Sequence, residues 1–393
     1  MSSTLAHRGS ARGVVGQRAG GPVYETLARE TATLESASSR LNHMETLPAF
    51  FDPTPVAERR DCPYQAGVTE DLSEFRAALS QQGLLAGLKQ FEARSSAQTA
   101  QALLVDWALV FAAWAACVYV SPWLAPLAVL LIGNRQRSLG NLLHDGGHWS
   151  LADESARNDV WVRFFLAPAL FNSTGLYRDS HRTHHRHLGS PQDDPDYIHR
   201  DEFHQMSWPR ILAVNVFSWP AWRGSVLGHL PRISWKERAG IAAWWAVVLG
   251  VLALVSGPWG AAGFLGLWLV ARATVFHVIT TFREITDHVG LSPGSLKGFS
   301  RNSPRSGLGK LFFHPRNNGY HLLHHLDPRI PFHALPRAHD YCMSLPWYAA
   351  GHHCDGYFLG RHTVVDCWRG RCPVALSEGE RVPHPLPAAA RVG

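Results

Sequence analysis

Two long apolar stretches, each interrupted once by a turn signal, constrain this chain more than any other feature. The first runs from Leu103 to Ile132 with a break at Ser121-Pro122; the second runs from Ala239 to Val270 with a break at Gly257-Pro258. Each half is close to the roughly 20 residues a helix needs to cross a bilayer. Pro and Gly at the breaks suit tight turns at the far face. Length alone also admits two buried hairpins of a soluble core, and charge separates the two readings. All 37 Lys and Arg residues except Arg272 fall in 1–102, 133–238 and 283–393, and neither hairpin tip carries one. That asymmetry is what the positive-inside rule expects of four spans with both termini in the cytoplasm. The expected architecture is all-α and integral to the membrane. It has spans at 103–120, 123–143, 239–256 and 260–282, in two hairpins under a cytosolic helical cap.

The net charge of +6 raises nucleic acid as a partner, but the basic residues are spread over three segments rather than gathered on one patch. A lipid bilayer is the expected partner, and nucleic acid is not. A hydrophobic content of 46% excludes a wholly disordered chain, and six Cys in 393 residues exclude a disulfide scaffold. Residues 1–45 read as a disordered arm without the apolar core of a secretory signal. Residues 46–102 read as cytosolic or interfacial helices, 103–345 as the membrane domain, and 346–393 as a cytosolic extension and tail. Arg135 and Arg272 each lie about 11 residues, roughly 16 Å of helix, beyond a hairpin tip. Each must either snorkel to the headgroups or face the bundle interior.

The chain holds 23 His. Three clusters stand out: His144 and His148; His181, His184 and His185; and His321, His324 and His325. Spacings of i, i+3 and i+4 put each cluster on one helical face, and all three fall on the side assigned to the cytosol. Eight imidazoles exceed what one tetrahedral zinc can use, so the set suits two metals, with iron, copper and zinc all open. His277, Thr281, Glu284 and His288 form one polar stripe along the fourth span, although His277 reads equally well as a satisfied buried histidine. Asp145, Asp193, Asp196, Asp287 and Asp327 lie close enough in sequence to orient these imidazoles. A His-rich metal transporter or sensor is the rival outside enzymology. It would carry its ligands midway through the spans, whereas these clusters lie beyond them.

As a set, the three boxes resemble the membrane-integral fatty acid desaturase-like di-iron family. Tyr177-Arg178, Asp193-Asp194-Pro195-Asp196 and Asn317-Asn318-Gly319-Tyr320, which flank them, look like its bacterial members. The resemblance implies two Fe ions held by His144, His148, His181, His184, His185, His321, His324 and His325. It also implies His288 as a ninth ligand, from an N-x-x-x-H motif that here reads Glu284-Ile285-Thr286-Asp287-His288. Glu284 thus stands where the acyl-CoA members have Asn; Glu284 and Asp145 are the candidate catalytic residues. O₂ would be co-substrate, and hydrogen removal would give an alkene or, with hydroxyl return, an alcohol. No dinucleotide fingerprint or fused rubredoxin-type pair occurs, so electrons are expected from a ferredoxin or cytochrome b5-type donor with its reductase. The leading substrate is an acyl chain of a lipid or acyl carrier; the polar stripe and Glu284 keep a small amino-acid-like metabolite as the alternative. The expected location is a bacterial inner membrane, with both termini and the histidine boxes cytoplasmic.

Overall fold

In the computed structural model, which describes residues 63–198 and 200–370, the first apolar stretch is a helical hairpin. The arm expected at 1–45 and the end of the tail lie outside the described residues. Helix α1 (Pro63–Gln81) precedes the hairpin. Helix α2 (Ser96–Ala115) starts at Ser95, whose hydroxyl accepts from the Gln98 amide, and runs on to Val120 as a π-helical turn. Ser121 is extended and Pro122 opens the return into α3 (Ala125–Gly147).

Helix α4 (Thr174–Arg186) carries the second histidine cluster, and α5 (Trp208–Val216) and α6 (Trp219–Leu227) follow. The second apolar stretch is α7 (Trp235–Ala271), entered through a capping box of Ser234 and Glu237. It breaks at Gly257, where φ 73° and ψ 170° need a residue without Cβ and Pro258 cannot continue the ladder. A π-helical turn, Arg272–Phe276, then leads into α8 (His277–His288). Helix α9 (His321–Leu326) carries the third cluster. The only regular strands among the described residues are two-residue pieces: β1 (Arg301–Asn302) pairs in parallel with β2 (His352–His353).

Two helical stretches, Ser96–Val120 and Trp235–His288, are long and apolar enough to cross a membrane, and the second contains the Gly257 break. The polar run Asn134-Arg135-Gln136-Arg137 sets α3 apart from them. Only 28% and 17% of their most apolar windows are buried. A soluble core helix would be mostly covered, so these apolar faces mark membrane association. Tyr119, Trp123 and Trp259 stand exposed at the hairpin tips, where interfacial aromatics belong.

Aromatic packing joins the hairpins. Trp107 stacks on Trp268 with ring centres 5.5 Å apart, the Trp114 indole donates to the Gly260 carbonyl at 2.9 Å, and Gln136 donates to the Trp268 carbonyl at 2.9 Å. A Cβ at Gly133 would meet the Val275 side chain at 2.5 Å, so glycine lets α3 close on the π-helical turn. Arg135 and Arg272 both face inward. Arg135 pairs with Asp106 at 2.9 Å, and fully buried Asp106 also holds Arg316 at 2.8 Å and the Ser138 hydroxyl at 2.7 Å. Arg272 is 1% exposed. A second core, with Phe75, Phe299, Leu323 and Tyr348, seats α1 and α9 beside the histidines.

Candidate metal centre

Nine histidines converge from four helices. The C-terminal end of α3 supplies His144 and, at its cap, His148. Helix α4, whose Ser173 cap accepts from the Leu176 amide, supplies His181, His184 and His185. His288 ends α8, and α9 supplies His321, His324 and His325. They sort into two groups, each with ligand atoms within 4.8 Å of one another: His144, His148, His181, His185 and His324; and His184, His288, His321 and His325. Helices α4 and α9 each contribute to both groups, because the i+3 residue of each H-x-x-H-H cluster lies apart from its i and i+4 partners.

The donor geometry fits metal. His185 Nε2 lies 3.1 Å from both His181 Nε2 and His324 Nε2, and His321 Nε2 lies 2.9 Å from both His288 Nε2 and His325 Nε2. A neutral imidazole has one N–H, so such convergence cannot be satisfied by protons alone, whereas a cation accepts every lone pair. His144 Nε2 is buried without a hydrogen-bond partner among the described residues. Burial first, then the neighbouring imidazoles, pushes His181, His185, His321, His324 and His325 well below the ordinary histidine pKa. They are therefore neutral, the form that binds metal.

Second partners fix several rings. His184 Nδ1 meets Asp194 Oδ1 at 2.8 Å, and the Gly189 and Asp196 amides donate to the same carboxylate, each at 2.9 Å. Burial disfavours charge on both partners, but their attraction outweighs it, raising the pKa of His184 and lowering that of Asp194. His288 Nδ1 donates to the Phe299 carbonyl at 2.7 Å. Asp145 sits 3.3 Å from His144 Nδ1 and accepts from the Phe332 amide at 2.8 Å. Asp287 lies 3.6 Å from His321 Nε2 and pairs with Arg283 at 2.6 Å.

Other sequence candidates take different roles. Asp193 bonds Ser190, Asp327 pairs with Arg329, and half-exposed Asp196 stays 3.9 Å from His184. His277 is held by the Ser225 hydroxyl at 3.0 Å and the Val216 carbonyl at 2.9 Å, so it is a satisfied histidine that ties α8 to α5 and α6. Glu284 belongs to neither metal group. It lines a cavity of about 310 Å³ that also has His144, His181, Arg137, Arg272 and Arg283 in its wall. Sequence reasoning missed Asp194 as a histidine partner and Asp106 altogether. A larger apolar groove of about 940 Å³, lined by residues such as Leu131, Leu311, Phe312 and Leu359, includes none of the nine histidines.

The fatty acid desaturase family model matches residues 121–356. Dihydrorhizobitoxine desaturase of Bradyrhizobium elkanii is 32% identical over 268 residues, covering 62% of this chain and 75% of that protein. The chloroplastic sn-2 acyl-lipid omega-3 desaturase (ferredoxin) of Arabidopsis thaliana is 24% identical over 321 residues, 74% of this chain and 70% of that protein. A chloroplastic omega-3 fatty acid desaturase of Glycine max is 29% identical over 263 residues, 59% of this chain and 57% of that protein. The chain belongs to the fatty acid desaturase family. It is an oxidoreductase of the desaturase type, from a family that uses iron and oxygen.

Proposed function

We propose that this chain is an O₂-dependent desaturase with two iron ions, one per histidine group, that acts on a small polar metabolite. The observation that carries the substrate class is the wall of the 310 Å³ cavity, which combines His144 and His181 with Arg137, Arg272, Arg283 and Glu284. An acyl chain leads the sequence reading, and that wall reverses the order, since a cavity lined by this many charged groups suits a polar ligand better than an apolar chain. The bacterial relative is named for dihydrorhizobitoxine, which supports the same class. The acyl reading draws on the plant relatives, which are named for lipid or fatty acid.

The irons would supply O₂ activation and hydrogen removal. The reaction balances as –CH₂–CH₂– + O₂ + 2 e⁻ + 2 H⁺ giving –CH=CH– + 2 H₂O. The electrons come from a ferredoxin and its reductase, a choice supported by the ferredoxin named for the Arabidopsis relative. The chain's own residues fix the rest. Asp194, Asp145 and the Phe299 carbonyl hold His184, His144 and His288 in orientation. Glu284, beside the substrate, orients a polar group of it and holds or releases a proton at its carboxylate. We infer four spans in a bacterial inner membrane, with both termini and the histidine groups cytoplasmic; the Lys and Arg distribution and the exposed tip aromatics support this.

The test is paired mass spectrometry of polar metabolites and total fatty acids from a bacterial host that co-expresses ferredoxin and reductase. Wild type is compared with His324→Ala. Loss of two mass units from a polar metabolite, only with wild type, is the expected result. New double bonds in fatty acids would establish the acyl reading instead.

A further inference from the structure

Two cations in the cavity wall form no salt bridge among the described residues, although the Glu284 carboxylate shares that wall. Arg272 is 1% exposed; its Nε donates to the Val226 carbonyl at 2.7 Å and its Nη2 to the Leu170 carbonyl at 2.8 Å, and Nη1 has no partner. Its guanidinium carbon sits 4.7 Å from the Phe276 ring centre and 5.1 Å from that of Phe171. Arg137, 7% exposed, is fixed by Asn141 at 2.9 Å and reaches Thr280 only at 3.5 Å. Neither arginine forms an ion pair within the described structure, although Arg135, Arg178, Arg283 and Arg316 all do.

The backbone around Arg272 is built at some cost. Phe171, whose ring covers the guanidinium, has φ 57°, a left-handed conformation that strains a non-glycine residue. Gly228, at φ 55°, packs so close that a Cβ would stand 2.7 Å from the Phe171 carbonyl oxygen. Arg272 also opens the π-helical turn, a distortion found often at functional sites. A buried guanidinium costs several kcal/mol unless it meets a counter-charge. Carbonyls and ring faces offset part of that, and the unpartnered Nη1 leaves room for more.

We propose that Arg272 and Arg137 form a carboxylate-binding subsite that anchors the free acid end of the substrate, so that its chain extends toward His144 and His181. The subsite rests on the polar-metabolite reading and sharpens it. The substrate is a free carboxylic acid, whereas the acyl end of a lipid ester or acyl-carrier thioester is a neutral carbonyl group. A bidentate guanidinium–carboxylate contact supplies both charge and orientation.

The test uses the purified, iron-loaded full chain in detergent, with hexanoate and neutral hexanamide as probes in isothermal titration calorimetry. Hexanoate is expected to bind at least tenfold more tightly than hexanamide. Arg272→Gln and Arg137→Gln each should shrink that ratio toward one, and Arg272→Lys should retain part of it. Because Arg272→Gln also frees two carbonyls and could unfold the chain, Arg137→Gln and Arg272→Lys carry the test by themselves if it does. Equal binding of the two probes, binding of neither, or a ratio unchanged in the variants overturns the subsite. His324→Ala separates this claim from the desaturase reading: it should keep the hexanoate preference while losing iron.

Discussion

His184 Nδ1 and Asp194 Oδ1 stand 2.8 Å apart, and that contact sets which nitrogen of His184 is left for metal. The carboxylate is itself held by two backbone amides, so the ring inherits the rigidity of the Gly189–Asp196 turn. Removing such a partner typically weakens metal binding about 10–100-fold. Asp194→Asn should therefore lose iron from the group of His184, His288, His321 and His325 first. A chelator titration followed by iron analysis checks this; simultaneous loss from both groups would contradict it.

Asp106 is the centre of a buried charge network on α2. It pairs with Arg135 and Arg316, and Arg316 lies on the segment that leads into α9. Breaking a buried pair by removing one partner costs about 3–5 kcal/mol. Asp106→Asn is expected to lower the thermal midpoint clearly while the folded fraction still binds iron. An unchanged midpoint would show that the network contributes little.

Iron-free protein should be acid-labile. His181, His185, His321, His324 and His325 have folded pKa values depressed below the ordinary value of about 6.5. Below pH ~6.5 the unfolded chain takes up protons that these folded rings refuse, so stability falls as pH falls. Each refused proton contributes up to about 1.4 kcal/mol per pH unit. His184, with a raised pKa, and the buried carboxyls Asp145, Glu284 and Asp287, raised by burial, work in the opposite direction. His144, His148 and His288 are depressed as well, so the imidazoles that refuse protons outnumber the opposing groups eight to four. Thermal midpoints of the chelated protein should drop steeply between about pH 6.5 and 5, and a flat profile would contradict neutral rings.

Glu284→Gln separates a substrate contact from a metal ligand. Glu284 lines the cavity yet belongs to neither histidine group. The variant should retain the full iron content and show a changed KM or kcat. Loss of iron would assign the carboxylate to the metal.

His288 entered as a ligand only through the family resemblance, whereas the three histidine clusters were legible because i, i+3 and i+4 spacing fixes a helical face whatever surrounds it. Their partition into two groups was not, since it depends on how α9 approaches α4. Both hairpin breaks were legible too, because Gly257-Pro258 and Ser121-Pro122 act locally. Asp194 escaped notice because its neighbours Asp193 and Asp196 are equally close to the box in sequence. Only the turn that binds the Gly189 amide selects it. Asp106 carried a readable signal: an acid inside an apolar helix needs a partner, and Arg135 follows on the next helix of the hairpin. Arg272 could be placed by depth, but the carbonyls that hold it come from segments 46 and 102 residues distant.

The most direct measurement is the iron content of purified, iron-reconstituted protein, wild type beside His324→Ala and His288→Ala, which remove one ligand from each group. The account predicts two irons per chain in the wild type and a shortfall in both variants, each with turnover abolished. A single iron in the wild type, or full iron and full activity in either variant, would contradict the two-metal histidine centre.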